Sequence, residues 1–317
     1  MPPPINQDEV ECAARLLRAG KLVAIPTETV YGLGANALDP EAVARIFAVK
    51  GRPATSPLIV HVVSIEMAKT LVAHWPDSAD QLVRKFWPGA LTLVLPTTAD
   101  RIPKIVTAGL DSVGLRMPAH PVTLAIIRAA GVPLAAPSAN RFTQLSPTTA
   151  EHVRRGLGSD VDYVVDGGPC QIGIESTVVS LVESRPKLLR PGAISRRELE
   201  AVLGPVSIVA ATASGAHPAP GMHPRHYSPR TTLILTSDGA LPRDGLGIYL
   251  QYERQPGRQD VEVRRMPASA SGYAAALYDE LHAADDGGYD WIAVDLPPIS
   301  PDWEAVQDRL RRAASKR

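Results

Sequence analysis

The sequence is short of the residues that usually announce a function. It holds only two cysteines, Cys12 and Cys170, with no C-x-x-C pair and no metal-type spacing. That excludes a disulfide framework and a cysteine zinc site, and it fits a reducing compartment. Aromatic residues make up only 5% of the 317-residue chain, and the charges cancel, 33 basic against 33 acidic. A dedicated nucleic-acid binder carries a basic excess or stripe, so neutrality argues against that class while leaving room for a local anion site. The longest apolar runs, such as "LTLVLP" and "VPLAAP", fall far short of a membrane span. The N-terminal "MPPPINQDEVEC" has no basic region followed by an apolar core, so no secretory signal and a cytoplasmic location are expected.

What is present is alternation. An amphipathic helix over about 8–19 leads into the strand "LVAIPT", and Asp39 with Pro40 opens a helix that Gly51 ends. "PLIVHVV", "ALTLVLP", "SVGLRMP" and "VPLAAPSAN" read as strands separated by helices near 65–73, 77–86 and 122–130. After a helix near 148–156, "YVVDGG", "STVVSLV" and "KLLRPG" follow in direct succession, and "SRRELEAVLG" is helical. Strands separated by helices early and meeting directly later predict an α/β fold with a mixed, not purely parallel, sheet. Residues 207–230 are rich in Ala, Pro, Gly and Ser and read as a linker. Met222, His223, Arg225, His226 and Tyr227 are unusual there. His217, His223 and His226 lack Cys or acidic partners at ligand spacing, so no structural metal is expected. Residues 231–317 read as a small second α/β domain, which leaves 1–206 as the first.

The run Gly32-Leu33-Gly34-Ala35-Asn36-Ala37 has the G-x-G-x-x-A spacing of a dinucleotide turn. Its context is wrong. The six residues "TETVYG" separate Pro26 from Leu33, the helix begins only after Asp39, and the window for a ribose-binding acid holds "KGRPATSPL". A nicotinamide enzyme is therefore not expected, and the glycines read as a loop passing close to a small substrate. "KGRPATSP" instead offers an anion site, with Lys50 as a point charge, Arg52 as a planar fork and Ser56 in a turn. Cations that merely meet the helix C-terminus would explain the same pattern. Ser138, Asn140, Ser176 and Arg190 also stand at strand ends, Arg116 interrupts an apolar strand where a bare cation is costly, and His61 interrupts "LIVHVV". There is no G-x-S-x-G elbow and no P-loop, so no covalent nucleophile is expected.

Taken in order, "IPTETVYGLGANA", "KGRPATSPLIVH", "WPGALTLVL", "TAGLDSVGLRMPAHP", "PLAAPSAN", "DGGPCQIGIESTVV" and "LLRPGAI" resemble the YrdC-domain family. "APGMHPRHYSP" and the small C-terminal domain resemble its long, two-domain threonylcarbamoyl-AMP synthases. The resemblance implies a YrdC-like sheet and a Rossmann-like C-terminal domain, and the 207–230 linker is expected to lie as a lid over the nucleotide pocket. It implies an enzyme that joins L-threonine, bicarbonate and ATP; magnesium held mainly by the phosphates is expected by analogy with other phosphoryl transfers. The product would serve a separate tRNA threonylcarbamoyl transferase complex, which modifies the adenosine next to the anticodon. Single-domain relatives imply double-stranded RNA binding, against which the neutral charge argues, so direct tRNA binding is expected to be weak or absent.

By the same resemblance, threonine binding would fall to Thr29, His61, Arg116, Ala136 and Ser176. ATP binding would fall to Lys50, Arg52, Ser56, Ser112, Ser138, Asn140, Ser146, Arg190 and Tyr227, with Lys50, Arg52 and Arg116 carrying the catalysis. Two departures stand out: Pro224 occupies a position that is often aromatic in the family, and the D-R-L-R-R-A-A helix lacks the glycines that usually precede it.

Overall fold

The structure is a computed structural model that describes residues 6–208 and 226–315. It begins with α1 (Gln7–Arg18), β1 (Val23–Ile25), β2 (Gly32–Asn36), α2 (Pro40–Lys50), β3 (Ile59–His61), α3 (Ile65–Thr70), α4 (Asp77–Phe86) and β4 (Leu91–Pro96). There follow α5 (Lys104–Thr107), β5 (Ser112–Arg116), α6 (Pro121–Ala130), β6 (Leu134–Ala135), α7 (Ala150–Leu157) and β7 (Tyr163–Val164). β8 (Thr177–Ser180), β9 (Lys187–Arg190), α8 (Arg196–Leu203) and β10 (Ser207–Ile208) complete this part. The second part consists of β11 (Thr232–Thr236), β12 (Gly247–Gln251), β13 (Glu262–Arg265), α9 (Ala270–Asp286), β14 (Trp291–Asp295) and α10 (Glu304–Ala313).

β1 to β10 form one mixed sheet in the order β10-β9-β8-β4-β5-β3-β6-β2-β1-β7, and β11 to β14 form a separate sheet in the order β11-β14-β12-β13. Every pairing in the smaller sheet is parallel. This is the expected mixed α/β fold with a small Rossmann-like unit. Local chemistry sets its boundaries. The Asp39 carboxylate accepts from the N–H groups of Glu41 and Ala42 at 3.0 and 3.2 Å, Pro40 takes the first helical turn, and Gly51 closes α2. No helix among the described residues is long and apolar enough to cross a membrane.

One expectation is corrected. The Gly32–Gly34 run is no loop but part of β2, antiparallel to β1 through Ile25↔Gly32 and Val23↔Gly34. A Cβ at Gly32 would stand 3.3 Å from that of Ala136, so the glycine lets two backbones approach beside the pocket. Glycine disfavours strands by propensity, and here the pairing on both sides overrides it.

The larger core packs α2 and α4 against the sheet through residues such as Leu33, Ile46, Phe47, Val60, Leu82 and Leu93. A second core joins the small sheet to α9 and α10 and also takes in Val30, Leu145, Ile174 and Tyr227 from outside that unit. Each large apolar side chain so buried contributes about 1.5–3 kcal/mol, so this shared cluster couples the two units.

Candidate active site

β3 and β5 run side by side in parallel with His61 opposite Arg116, so both side chains leave the same face of the sheet. They border a partly open cavity, whose wall also includes Thr29, Arg52, Ala136, Ser138, Ser176, Arg190 and Tyr227. Nine of the residues expected at the site are therefore brought together here. The remaining wall includes Gly32, one of the glycines read as passing close to a small substrate, and Glu175 and His226, which sequence reasoning left outside the site.

Two cationic clusters face this cavity. In the first, the buried Arg116 donates from Nη2 to Glu28 Oε1 at 2.6 Å, from Nη1 to Thr29 Oγ1 at 2.9 Å, and from Nε to the Gly89 carbonyl at 3.1 Å. Glu28 Oε2 also accepts from Ala119 N–H at 3.0 Å, so both its oxygens are engaged. Burial and the neighbouring Arg116 push the His61 imidazole down to about 3, which keeps it neutral, and its Nδ1 has no partner among the described residues. The cost of a cation inside a strand is thus met within the fold, by a glutamate the sequence reading did not single out.

The second cluster gathers Arg52 and Arg190. Arg52 Nη2 donates to Ser56 Oγ at 2.7 Å and to the Pro57 carbonyl at 3.0 Å, and burial lowers its guanidinium only to about 10. Arg190 Nη2 donates to the Ser176 carbonyl at 2.9 Å and to Ser176 Oγ at 3.1 Å, while Ser176 Oγ shares a hydrogen bond with Thr92 Oγ1 at 2.8 Å. His226 is held well below its ordinary value by burial and then by Arg52, Lys50 and Arg190. Tyr227 beside it adopts a left-handed backbone, φ 62°, and its buried hydroxyl lacks a partner among the described residues. Such a backbone costs about 1–3 kcal/mol, and strain of this kind gathers at functional sites.

Five expected residues do not reach the cavity wall. Lys50 is buried behind it, where Nζ donates to the carbonyls of Ser138 and Asn140 at 2.5 Å each. A buried ammonium needs those acceptors, so Lys50 is occupied in holding the Ser138 turn. Ser56 Oγ is taken by Arg52, and Ser146 Oγ donates to Glu175 at 2.5 Å. Asn140 Nδ2 donates to the carbonyls of Arg141 and Gln144 at 2.7 and 2.9 Å, and Ser112 lies at the start of β5, paired with Pro96. Residues 209–225, with most of the expected lid, lie outside the described residues.

The family profile for Sua5, YciO and YrdC proteins, described as "Telomere recombination", matches residues 15–192. The chain belongs to this family. A second profile, described as the C-terminal domain of threonylcarbamoyl-AMP synthase, matches residues 194–315. The chain is 41% identical to the threonylcarbamoyl-AMP synthase of Bacillus subtilis, over 98% of this chain and 94% of that protein. It is 40% identical to the enzyme of the same name from Pyrococcus abyssi, over 99% and 96%. The crystal structure of P. abyssi Sua5 complexed with L-threonine superposes with a TM-score of 0.91 at 39% identity, covering 98% of this chain and 96% of that one. The likeness to the long family members therefore runs through both sheets.

Proposed function

We propose that this chain makes threonylcarbamoyl-AMP and pyrophosphate from L-threonine, bicarbonate and ATP. The observation that carries the reading is one cavity walled by two cationic clusters, Arg116 with Thr29 and His61, and Arg52 with Arg190. Arg116, oriented by three acceptors, takes the threonine carboxylate. Thr29, His61, the Ala136 backbone and Ser176 surround the rest of the amino acid. Arg52, Arg190 and Ser138 meet the nucleotide phosphates beside Tyr227. Lys50, Ser56, Asn140 and Ser146 act through the groups they hold, and Ser112 contributes from the edge of β5.

The chemistry asks for little beyond positioning. A neutral threonine amine combines with bicarbonate, releasing water and leaving a carbamate anion. The positive field of Arg52 and Arg190 favours loss of the ammonium proton and stabilises that anion. A carbamate oxygen then bonds to the α-phosphorus as the bond to the pyrophosphate oxygen breaks, and pyrophosphate leaves with the electron pair. Alignment and stabilisation of phosphate charge supply the rate.

Glu28 and Glu175 are both engaged with arginines, and among the described residues no cluster of His, Cys, Asp and Glu could hold a metal ion. These residues do not form a magnesium site, so no step is routed through the ion. Magnesium enters the reading as a companion of the nucleotide phosphates.

The same reading divides the chain into a catalytic domain at 1–206, a lid at 207–230 and a small domain at 231–317. It places the enzyme in the cytoplasm, delivers the product to a separate tRNA transferase system, and gives this chain little affinity for bare tRNA. In the test, purified protein releases pyrophosphate from ATP only when L-threonine and bicarbonate are both supplied. Release that is indifferent to threonine overturns the assignment.

A further inference from the structure

Glu175 stands on the cavity wall beside Ser176, yet the group that holds it comes from the other sheet's helices. Arg309 on α10 is fully buried and donates from Nε to Glu175 Oε2 at 2.7 Å. From α9, Tyr278 donates its hydroxyl to the same oxygen at 3.2 Å. Ser146 completes the set on Oε1, and its own carbonyl lies 3.1 Å from Nε2 of His282 on α9. The Arg309 guanidinium also lies 5.2 Å from the centre of the Tyr227 ring, which forms the neighbouring stretch of wall.

The junction is tight. Gly173, at φ 76°, approaches α9 so closely that a Cβ would meet the Ala274 carbonyl and the Ala275 backbone at 2.6 Å. The loop carrying Glu175 is thus pressed onto α9, and α9 and α10 meet the cavity wall through Glu175 and Tyr227. Burial opposes the Glu175 charge, but Arg309 and then Arg190 outweigh it and hold the carboxyl below its ordinary range. An apolar contact would have joined the two units at less desolvation cost. A buried ion pair whose acid faces a binding cavity fixes an orientation that an apolar contact would leave free.

We propose that Arg309, assisted by Tyr278, is a positioning residue of the nucleotide side of the cavity, so that the C-terminal domain supplies part of the support for the active site. This rests on the reading of the Arg52–Arg190 side as the one that meets ATP. Arg309 touches no substrate. It sets where Glu175 and Tyr227 stand while Arg52 and Arg190 receive the phosphates.

The test measures pyrophosphate release by the full-length protein, varying ATP and threonine separately, for R309Q, R309K and Y278F. R309Q is expected to raise the KM for ATP tenfold or more while the KM for threonine stays within threefold. R309K keeps the charge without the planar fork, and it returns the ATP value to about threefold above wild type. Y278F, which removes one neutral donor, is expected to raise it about twofold. Should R309Q not fold, R309K decides alone: a raised ATP KM with an unchanged threonine KM supports the proposal. Wild-type KM values in every variant that folds, with loss only of melting temperature, overturn it and leave the pair as a tie between domains. An equal rise in both KM values also overturns it. Wild-type protein that does not couple pyrophosphate release to threonine would instead overturn the functional reading.

Discussion

Two buried arginine–glutamate pairs flank the cavity, and they are built in opposite senses. Arg116 and Glu28 meet at 2.6 Å, with the arginine on the cavity wall and the glutamate behind it. Arg309 and Glu175 meet at 2.7 Å, with the glutamate on the wall and the arginine behind. The first pair lies within the large-sheet unit, whereas the second joins the two units. The same ion pair therefore presents a cation to one part of the cavity and an anion to another. In each, the hidden partner offsets the desolvation of the exposed one and fixes its direction.

The largest effect should come from breaking the first pair. Arg116→Ala removes the carboxylate fork and leaves Glu28 buried with only the Ala119 N–H. Loss of one member of a buried pair costs about 3–5 kcal/mol of stability. Threonine-dependent pyrophosphate release should fall at least a hundredfold. Glu28→Gln, which keeps Arg116 in place but unneutralised, should fall between this variant and wild type. A threonine KM unchanged in both would remove Arg116 from the substrate site. Arg52→Ala should act on the other cluster, raising the ATP requirement tenfold or more while leaving the threonine requirement nearly intact. Equal effects on both substrates would mean that the two clusters are not separate subsites.

A smaller effect sharpens the contrast between a local pair and a bridging one. Gly173→Ala would force a Cβ to within 2.6 Å of α9 backbone at φ 76°. The strained backbone alone costs about 1–3 kcal/mol, seen as a lower urea midpoint. ATP use should weaken with it, because α9 carries Tyr278 onto Glu175, while threonine affinity holds. Weakened threonine binding instead would show that the two pairs are mechanically linked.

How much of this was legible in the sequence follows from distance along the chain. Asp39, Pro40 and Gly51 marked α2 because caps act within a few residues. Arg116 advertised its need for a partner, but Glu28 is 88 residues away and nothing local connects them. Arg309 is 134 residues from Glu175, and the D-R-L-R-R-A-A helix that carries it points to no partner in the sequence. β2 was missed because glycine argues against a strand, whereas neighbours on both sides impose one. Arg116 stood out because a cation inside an apolar strand is costly, whereas Lys50, Arg52 and Arg190 were picked from a turn and a strand end and from the family resemblance. Lys50 shows the limit of that signal, since its charge serves two carbonyls behind the wall.

The smallest expected effect at neutral pH, which grows only as pH falls, concerns the histidine that each cluster keeps neutral, His61 beside Arg116 and His226 beside Arg52, Lys50 and Arg190. Both are pushed down from the ordinary value, His61 to about 3, by burial first and cations second. The sign follows from proton counting. Below the ordinary histidine pKa of about 6.5 the unfolded chain takes up a proton that the folded chain refuses, so the unfolded state gains. The stabilisation is complete above that value and drains away as pH falls towards the folded-state value, at about 1.4 kcal/mol per pH unit for each histidine. Urea midpoints measured at pH 7, 6 and 5 should therefore drop, and His61→Gln and His226→Gln should each remove part of the slope. The cations behind the two differ in one respect: Arg116 is neutralised by Glu28, while His226 faces four cationic side chains, Arg52, Lys50, Arg190 and Arg312. Separate, additive contributions would show that the clusters titrate independently across the cavity. If His226→Gln left the slope unchanged, His226 would not be held neutral in the folded protein and its cationic surroundings would be differently arranged.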